Sequence, residues 1–206
     1  MAKKLGKINI IDVEATCWEN DEERKNQPNE IIEIGIAILD VASLTIEKND
    51  SIFVRPEKSK VSPYCENLTH ISQQVVDNLG IPFDEACEKL RTQYQTKKYP
   101  WTSWGDYDRH QFQKQCAKKY LSWSMVDDRG PQDIRLVQEL EKPEYPFGAR
   151  HINIKTLFGL FMNLEKEVGV PSALQKLNMK FDGTHHRGMD DAYNIARIFT
   201  RILEDR

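Results

Sequence analysis

Missing from this chain are a CxxC pair, a His-rich tract, a Gly/Ser linker, an internal repeat and any apolar run near the roughly 20 residues that span a bilayer. Each absence closes off a class. The four cysteines, Cys17, Cys65, Cys87 and Cys116, stand far apart, so neither a structural zinc site nor a disulfide framework is expected, and they read as free, partly buried thiols. The opening MAKKLGKINIID passes from lysines into a strand-like segment with no signal-peptide core, and the cytoplasm is the expected address, with no membrane partner. An excess of basic charge is also lacking: 29 Lys and Arg face 32 Asp and Glu, a net charge of −3. That excludes holding nucleic acid by bulk electrostatics alone and leaves room for an acidic site that recruits metal ions.

What is present is the composition of one globular domain with its own core, spanning residues 1–206. The most loop-like stretches are Glu19 to Glu30 and Pro143 to Gly148. Lys7 to Glu14, Glu30 to Leu39 and Thr45 to Arg55 read as three consecutive strands, Trp101 to Trp104 and Arg150 to Ile154 as two more. Short helices are expected around Glu66 to Leu79, and another is capped by Asp84 and runs through Tyr94. The spans Tyr107 to Leu121, Lys155 to Val168, Ser172 to Leu177 and Gly188 to Leu203 also read as helices. Strands first and alternation later predict an α/β fold, a mixed sheet with helices on both faces.

Asp12 and Glu14 are two positions apart on a strand and leave the same face as Ile8 and Ile10, so a core-facing row ends in two carboxylates. Like charges so placed call for a cation, unless the strand simply runs out into water there. In WGDYD, Asp106 and Asp108 sit where a strand hands over to a helix; Asp106 reads as the helix cap and Asp108 as the candidate acid. In the terminal helix, Asp191, Ile195, Ile198 and Ile202 form one inward row, whereas Asp190 shares an outward row with Asn194, Arg197 and Arg201. Asp191 is therefore the functional candidate, and Asp190 is expected to face water. His186 can join the acids only from a loop leading into that helix, which Gly183 and Gly188 permit. There an imidazole could take a proton from water at neutral pH.

DVE at 12–14, WGDYD ending at Asp108 and HRGMDD from His186 to Asp191 resemble, in order and spacing, the three motifs of the DEDDh family of 3′-to-5′ exonucleases. DVEATCW, LTHIS at 68–72 and HHRGMDDAYNIARI are similar more narrowly to its Eri-type branch, relatives of the histone-mRNA and interfering-RNA exonucleases. The resemblance implies a ribonuclease-H-like exonuclease domain with a five-stranded mixed sheet flanked by helices. It implies that Asp12, Glu14, Asp108 and Asp191 hold two divalent cations, Mg²⁺ or Mn²⁺, and that His186 is the general base. Unlike the best-known animal members, the chain is expected to have no accessory nucleic-acid-binding domain ahead of the nuclease, so their particular substrates are not carried over.

Substrate-binding candidates are Ala15, Tyr64 and Tyr107; the two tyrosines match positions where relatives stack rings on terminal bases, and each could equally be a half-buried core residue. Lys114, Lys118 and Lys119 could meet backbone phosphates or form a solvated face. The expected activity is removal of nucleoside 5′-monophosphates from single-stranded 3′ ends, with RNA the expected polymer. The alternatives are a DNA or short-oligonucleotide exonuclease on the same fold and a non-catalytic regulatory binding protein. Protein partners are not legible in the residues.

Overall fold

The computed structural model of the chain describes residues 6–118 and 143–204. Five strands form one mixed sheet: β1 (Lys7–Ala15), β2 (Ile31–Asp40), β3 (Thr45–Phe53), β4 (Trp101–Ser103) and β5 (His151–Asn153), in the spatial order β3-β2-β1-β4-β5. β2 runs antiparallel to both β1 and β3, whereas β4 lies parallel to β1 and to β5. All five lie where the β-branched and aromatic runs place them, with ends shifted by one or two residues. β1 is central, with an antiparallel neighbour on one side and a parallel one on the other, and its last residues carry the first two acids.

Side chains alternate across β1, and each face acquires its own core. Ile8 and Ile10 pack with Ala37 and Leu39 under three helices, α6 (Ile154–Phe161), α7 (Val170–Lys176) and α8 (Gly188–Glu204). Ile11 and Val13 pack on the other face against α4 (Phe83–Gln93) and α5 (Tyr107–Lys118), around Phe83, Leu90, Trp101, Phe112 and Phe147. A smaller cluster joins Ile32 to Cys65 on α2 (Pro63–Thr69), Val76 on α3 (Gln73–Leu79) and Ile71 between them. Asp12 and Glu14, two and four positions after Ile10, therefore emerge on the face that α8 covers.

Several elements differ from the sequence reading. Residues Asp21–Arg24, inside the expected loop, form a short helix, α1, whose first turn is capped by the Asn20 side chain. α4 starts two residues earlier than expected, with Pro82 at the cap position; Asp84 lies in the first turn, accepting from the Glu85 N–H at 3.1 Å. α6 ends at Phe161 because the chain turns through Asn163, whose backbone is left-handed at φ 50°. The expected end of α5 at Leu121, together with Lys119, lies outside the described residues.

The four cysteines are free, Cys65 and Cys87 buried and Cys17 and Cys116 half-buried. Among the described residues, no helix is long and apolar enough to cross a membrane.

Candidate active site

Three elements bring the acids to one place. β1 contributes Asp12 and Glu14, and its register against β2 shifts between Glu14 and Ala15, a bulge of the kind that re-aims side chains at a strand end. Asp108, in the first turn of α5, is held against the same strand by the Val13 N–H, which donates to its Oδ1 at 2.9 Å. Asp191, in the first turn of α8, is 3% exposed, as its inward row requires. Carboxylate oxygens of Asp12, Glu14 and Asp191 all lie within 4.8 Å of one another.

Such crowding is unfavourable for the ionised acids. Desolvation, then the charges of Asp108, Asp191, Glu14 and Glu33, push Asp12 well above the usual carboxylate range. Glu14 is pushed up to about 9, by burial first and then by Asp191 and Glu33. Asp108 rises to about 7 through burial, against the hydrogen bonds from Val13, its own backbone N–H and Ser103. Asp191 rises to about 6, again through burial, against the hydrogen bond from the backbone N–H of His186. A divalent cation would remove this repulsion, and a donor set made only of carboxylate oxygens suits a hard ion of the magnesium or manganese class. The residues fit such an ion.

His186 sits on the turn that leads into α8, with a left-handed backbone at φ 65°. The turn is fastened to the site: the His186 N–H donates to Asp191 Oδ2 at 2.7 Å and to His185 Nδ1 at 2.8 Å. Burial, then the neighbouring His185, hold the His186 pKa below the usual imidazole value, so the ring is neutral and able to accept a proton at neutral pH. His185 went unremarked in the sequence. Its ring stacks on His186 at 3.9 Å between centroids and on Phe181 at 5.3 Å, and its Nδ1 lies 3.2 Å from Asp191 Oδ1. A doubled histidine was the visible signal, but loop residues have no periodicity that assigns them a face.

Glu33 also escaped notice. It is fully buried on β2, takes hydrogen bonds from the Arg187 guanidinium at 3.2 Å, the Gly188 N–H at 2.9 Å and the Ser51 hydroxyl at 2.7 Å, and so anchors the start of α8 to the sheet. The outward row of α8 needs correction as well. Asp190 is half-buried and accepts the Thr184 N–H at 2.8 Å, and Asn194 is fully buried, donating to the carbonyls of Asp182 and Asp190. The segment before α8 folds back over Asp190 and Asn194, while Arg201 at the far end of the row stays exposed.

Asp106 precedes α5 as a cap would, but its carboxylate is engaged by the Asn153 side chain at 3.1 Å and by Arg109 at 3.6 Å. Ala15 is buried, its carbonyl accepting from the Cys65 thiol at 3.6 Å. Tyr107 is exposed on the surface yet close enough to the acids for burial, then Asp108 and Glu14, to push its hydroxyl up to about 12. Tyr64 is exposed and lines a groove of about 680 Å³ with Trp18, Lys25, Lys60 and Asn67. Neither tyrosine is a core residue. Lys114 is exposed on α5.

Comparison with known proteins gives one family. The exonuclease model RNase_T matches residues 10–120. A 3′-5′ exoribonuclease 1 of Rattus norvegicus is 33% identical over 201 residues, 96% of this chain and 53% of its own length. ERI1 exoribonuclease 2 of Xenopus laevis is 30% identical over 95% of this chain and 28% of its own. The chain thus spans about half the length of the first relative and less of the second. Among solved structures, the nuclease domain of 3′hExo, a DEDDh family member bound to rAMP, superposes with a TM-score of 0.78 at 30% identity, over 98% of this chain and 93% of that one.

Proposed function

Since the chain belongs to the RNase_T exonuclease family, with a ribonuclease-H-like fold of the DEDDh type, we propose that it is a metal-dependent 3′-to-5′ exonuclease. It shortens single strands from a free 3′ end, RNA in preference to DNA, and releases nucleoside 5′-monophosphates. The observation that carries the reading is the convergence of Asp12, Glu14 and Asp191 within 4.8 Å, with Asp108 and His186 beside them. The relatives' names, 3′-5′ exoribonuclease, and the bound rAMP of the 3′hExo domain support RNA as the polymer.

In this mechanism Asp12, Glu14, Asp108 and Asp191 would hold two divalent cations, Mg²⁺ or Mn²⁺, which supply charge neutralisation at the phosphate, acidification of water and help for the departing 3′-oxygen. The chain's own residues do the rest. His186, kept neutral by burial, takes the proton of the attacking water. Asp191 holds the His186 backbone and so fixes where that ring stands. Tyr64 and Tyr107, both exposed beside the acids or the adjoining groove, offer faces for the last bases, a contact tolerant of base identity. Ala15, at the bulge after Glu14, lets the terminal nucleotide approach the strand end.

The single domain and a cytoplasmic setting, which suits four free thiols, belong to the same proposal. Matched 5′-labelled RNA and DNA strands, incubated with and without Mg²⁺ or Mn²⁺, test it. The expected result is a ladder of shortening products, faster on RNA, with circular strands untouched. Strands that bind but never shorten with either metal would mean a binding protein, and cut circles would mean an endonuclease.

A further inference from the structure

Past the bulge that follows Glu14, the chain leaves β1 and forms one wall of the groove of about 680 Å³, of which the hydrolysis as described uses only Tyr64. Trp18 and Lys25 line this wall; Lys60 and Tyr64 line the other, which leads into α2. The two walls are joined next to the acids, where the Cys65 thiol donates to the Ala15 carbonyl at 3.6 Å and the Ser62 hydroxyl to the Cys17 carbonyl at 2.7 Å. Farther along, the Lys60 N–H donates to the Gln27 side chain at 3.0 Å. Trp18 is four residues after Glu14, at most about 14 Å of extended chain, so the groove begins within reach of a strand whose end lies over the acids.

Both walls are held in place. The Glu30 carboxylate accepts the N–H groups of Glu57, Lys58 and Ser59 at 3.2, 2.9 and 2.7 Å and the Ser59 hydroxyl at 2.7 Å, which fixes the loop that carries Lys60. Lys25 ends α1 with a left-handed backbone at φ 45°. The Arg24 guanidinium, bonded to the Gln27 carbonyl at 3.0 Å, stands over the Trp18 ring 6.0 Å from its centroid, so the indole is braced while it borders the groove. Two aromatic rings and two exposed ammonium groups in one groove match a single strand, which alternates flat bases with phosphates; a duplex hides its base faces. Glu19 and Glu23 line the groove too, so it has no bulk attraction for a polyanion, and each phosphate must meet a lysine directly. We propose that Trp18, Lys25 and Lys60 bind the nucleotides that precede the terminal one on the strand being shortened, the indole stacking on a base and the lysines pairing with phosphates.

The inference deepens the exonuclease reading and rests on it. Binding is followed by fluorescence anisotropy at fixed Mn²⁺, with a 5′-labelled RNA decamer whose last linkage is a methylphosphonate, to block cleavage. Trp18→Ala should weaken binding about 5–150-fold, the range for losing one base stack, and Trp18→Phe, which keeps a flat ring, should recover most of it. Lys25→Gln/Lys60→Gln should flatten the slope of log K against log salt by about 1.4, at about 0.7 for each phosphate released. Glu19→Gln/Glu23→Gln should tighten binding, because two charges that repel the strand are gone. Hydrolysis supplies a second readout: the loss of kcat/KM in Trp18→Ala should be at least fivefold greater on an unblocked decamer than on a dinucleotide, which is too short to fill the groove.

Wild-type affinity in Trp18→Ala, an unchanged salt slope in the lysine variant or equal losses on both lengths would each overturn the proposal. Were Trp18→Ala to melt far below the parent, the lysine variant, altered only at exposed side chains, would decide by its slope. Failure of the exonuclease reading looks different: the wild-type protein would leave an unblocked decamer intact while the binding results still followed the pattern above.

Discussion

Gly35 and Gly188 meet backbone to backbone. Gly35 lies opposite Asp12 in the β1–β2 register, and a Cβ built on it would fall inside the Gly188 carbonyl group. A Cβ on Gly188 would in turn stand 3.0 Å from the Gly35 amide and 3.2 Å from the Asp12 carbonyl. The first turn of α8 therefore rests directly on the two strands, and this contact sets how closely Asp191 approaches Asp12.

Gly35→Ala should consequently lift the start of α8 from the sheet. Overpacking of this kind costs about 1–3 kcal/mol, and backbone on both sides leaves little room to relax. Urea unfolding should show the lost stability, and hydrolysis and Mn²⁺ affinity should fall together. A stable Gly35→Ala protein with wild-type metal affinity would separate the glycine contact from the site.

Replacing Asp12, Glu14, Asp108 or Asp191 by Ala should reduce turnover by about 10²–10³-fold or more, the scale of losing a charge-stabilising group in a reaction site. Without metal the Asp12 and Glu14 variants should melt no lower than the parent, because mutual repulsion is relieved, whereas Asp108→Ala and Asp191→Ala also lose the bonds from the Val13 and His186 N–H groups. Asp190→Ala should behave differently. It loses the bond from the Thr184 N–H, about 1 kcal/mol of stability, and even if all of that reached the barrier turnover would drop no more than about tenfold. Side-by-side melting and initial rates decide; a dead Asp190 variant beside an active Asp191 variant would reverse the two roles.

His186→Ala should lose about 10²–10⁴-fold in kcat, the usual share of a general base, while retaining Mn²⁺ affinity. His185→Ala, which removes the stacked shelf, the Nδ1 acceptor and the contact with Asp191 but leaves the base in place, should lose less. The pH profile adds a second check. Burial lowers the His186 pKa, so the neutral base persists to lower pH than a free imidazole, and the acid limb of activity should lie below 6.5 and vanish in His186→Ala. A Mn²⁺ affinity as depressed as in Asp12→Ala would make His186 a ligand.

Metal and pH should be linked through stability. A carboxyl whose folded pKa is raised holds its proton more tightly in the folded chain than in the unfolded one, so its contribution is full at low pH and is lost as pH rises through the folded value. For Asp191, Asp108 and Glu14, at about 6, about 7 and about 9, the loss spans neutral pH. Metal-free protein should therefore melt at progressively lower temperature as pH rises through that window. Mg²⁺ at about 100 times its Kd should restore about 2.7 kcal/mol, or roughly 5–10 °C for a domain of this size, with a gain that grows with pH. Scanning calorimetry with and without chelator measures both; a gain independent of pH would show that the acids do not compete with protons for metal.

The parts of this molecule that were legible in the sequence are those governed by local periodicity. β-branched runs gave β1 and β2, and one helical row separated Asp191 from Asp190. What stayed hidden depends on contacts between distant segments. Asn194 lies on a polar row and would face water on a lone helix; it is buried because the segment carrying Asp182 folds over it, the Asp182 carbonyl accepting one amide donor and the Asp182 N–H donating to its oxygen, while the other donor turns back to the Asp190 carbonyl. Glu33 is a charged residue in an apolar strand, and only the arrival of Arg187 and Gly188 from the other end of the chain makes it a clasp. His185 is placed by a stack of rings in a turn, where no repeat predicts a neighbour.

The docking of α8 on β1 and β2 also orders events during synthesis. Asp12, Glu14 and Asp108 are made long before His186 and Asp191, and such distant contacts form slowly because much chain must be closed before they are gained. A growing chain that has not yet reached His186 has three acids and no base, and it lacks the helix that closes them together. On the proposed activity, it can degrade nothing in that state, including the message from which it is being translated.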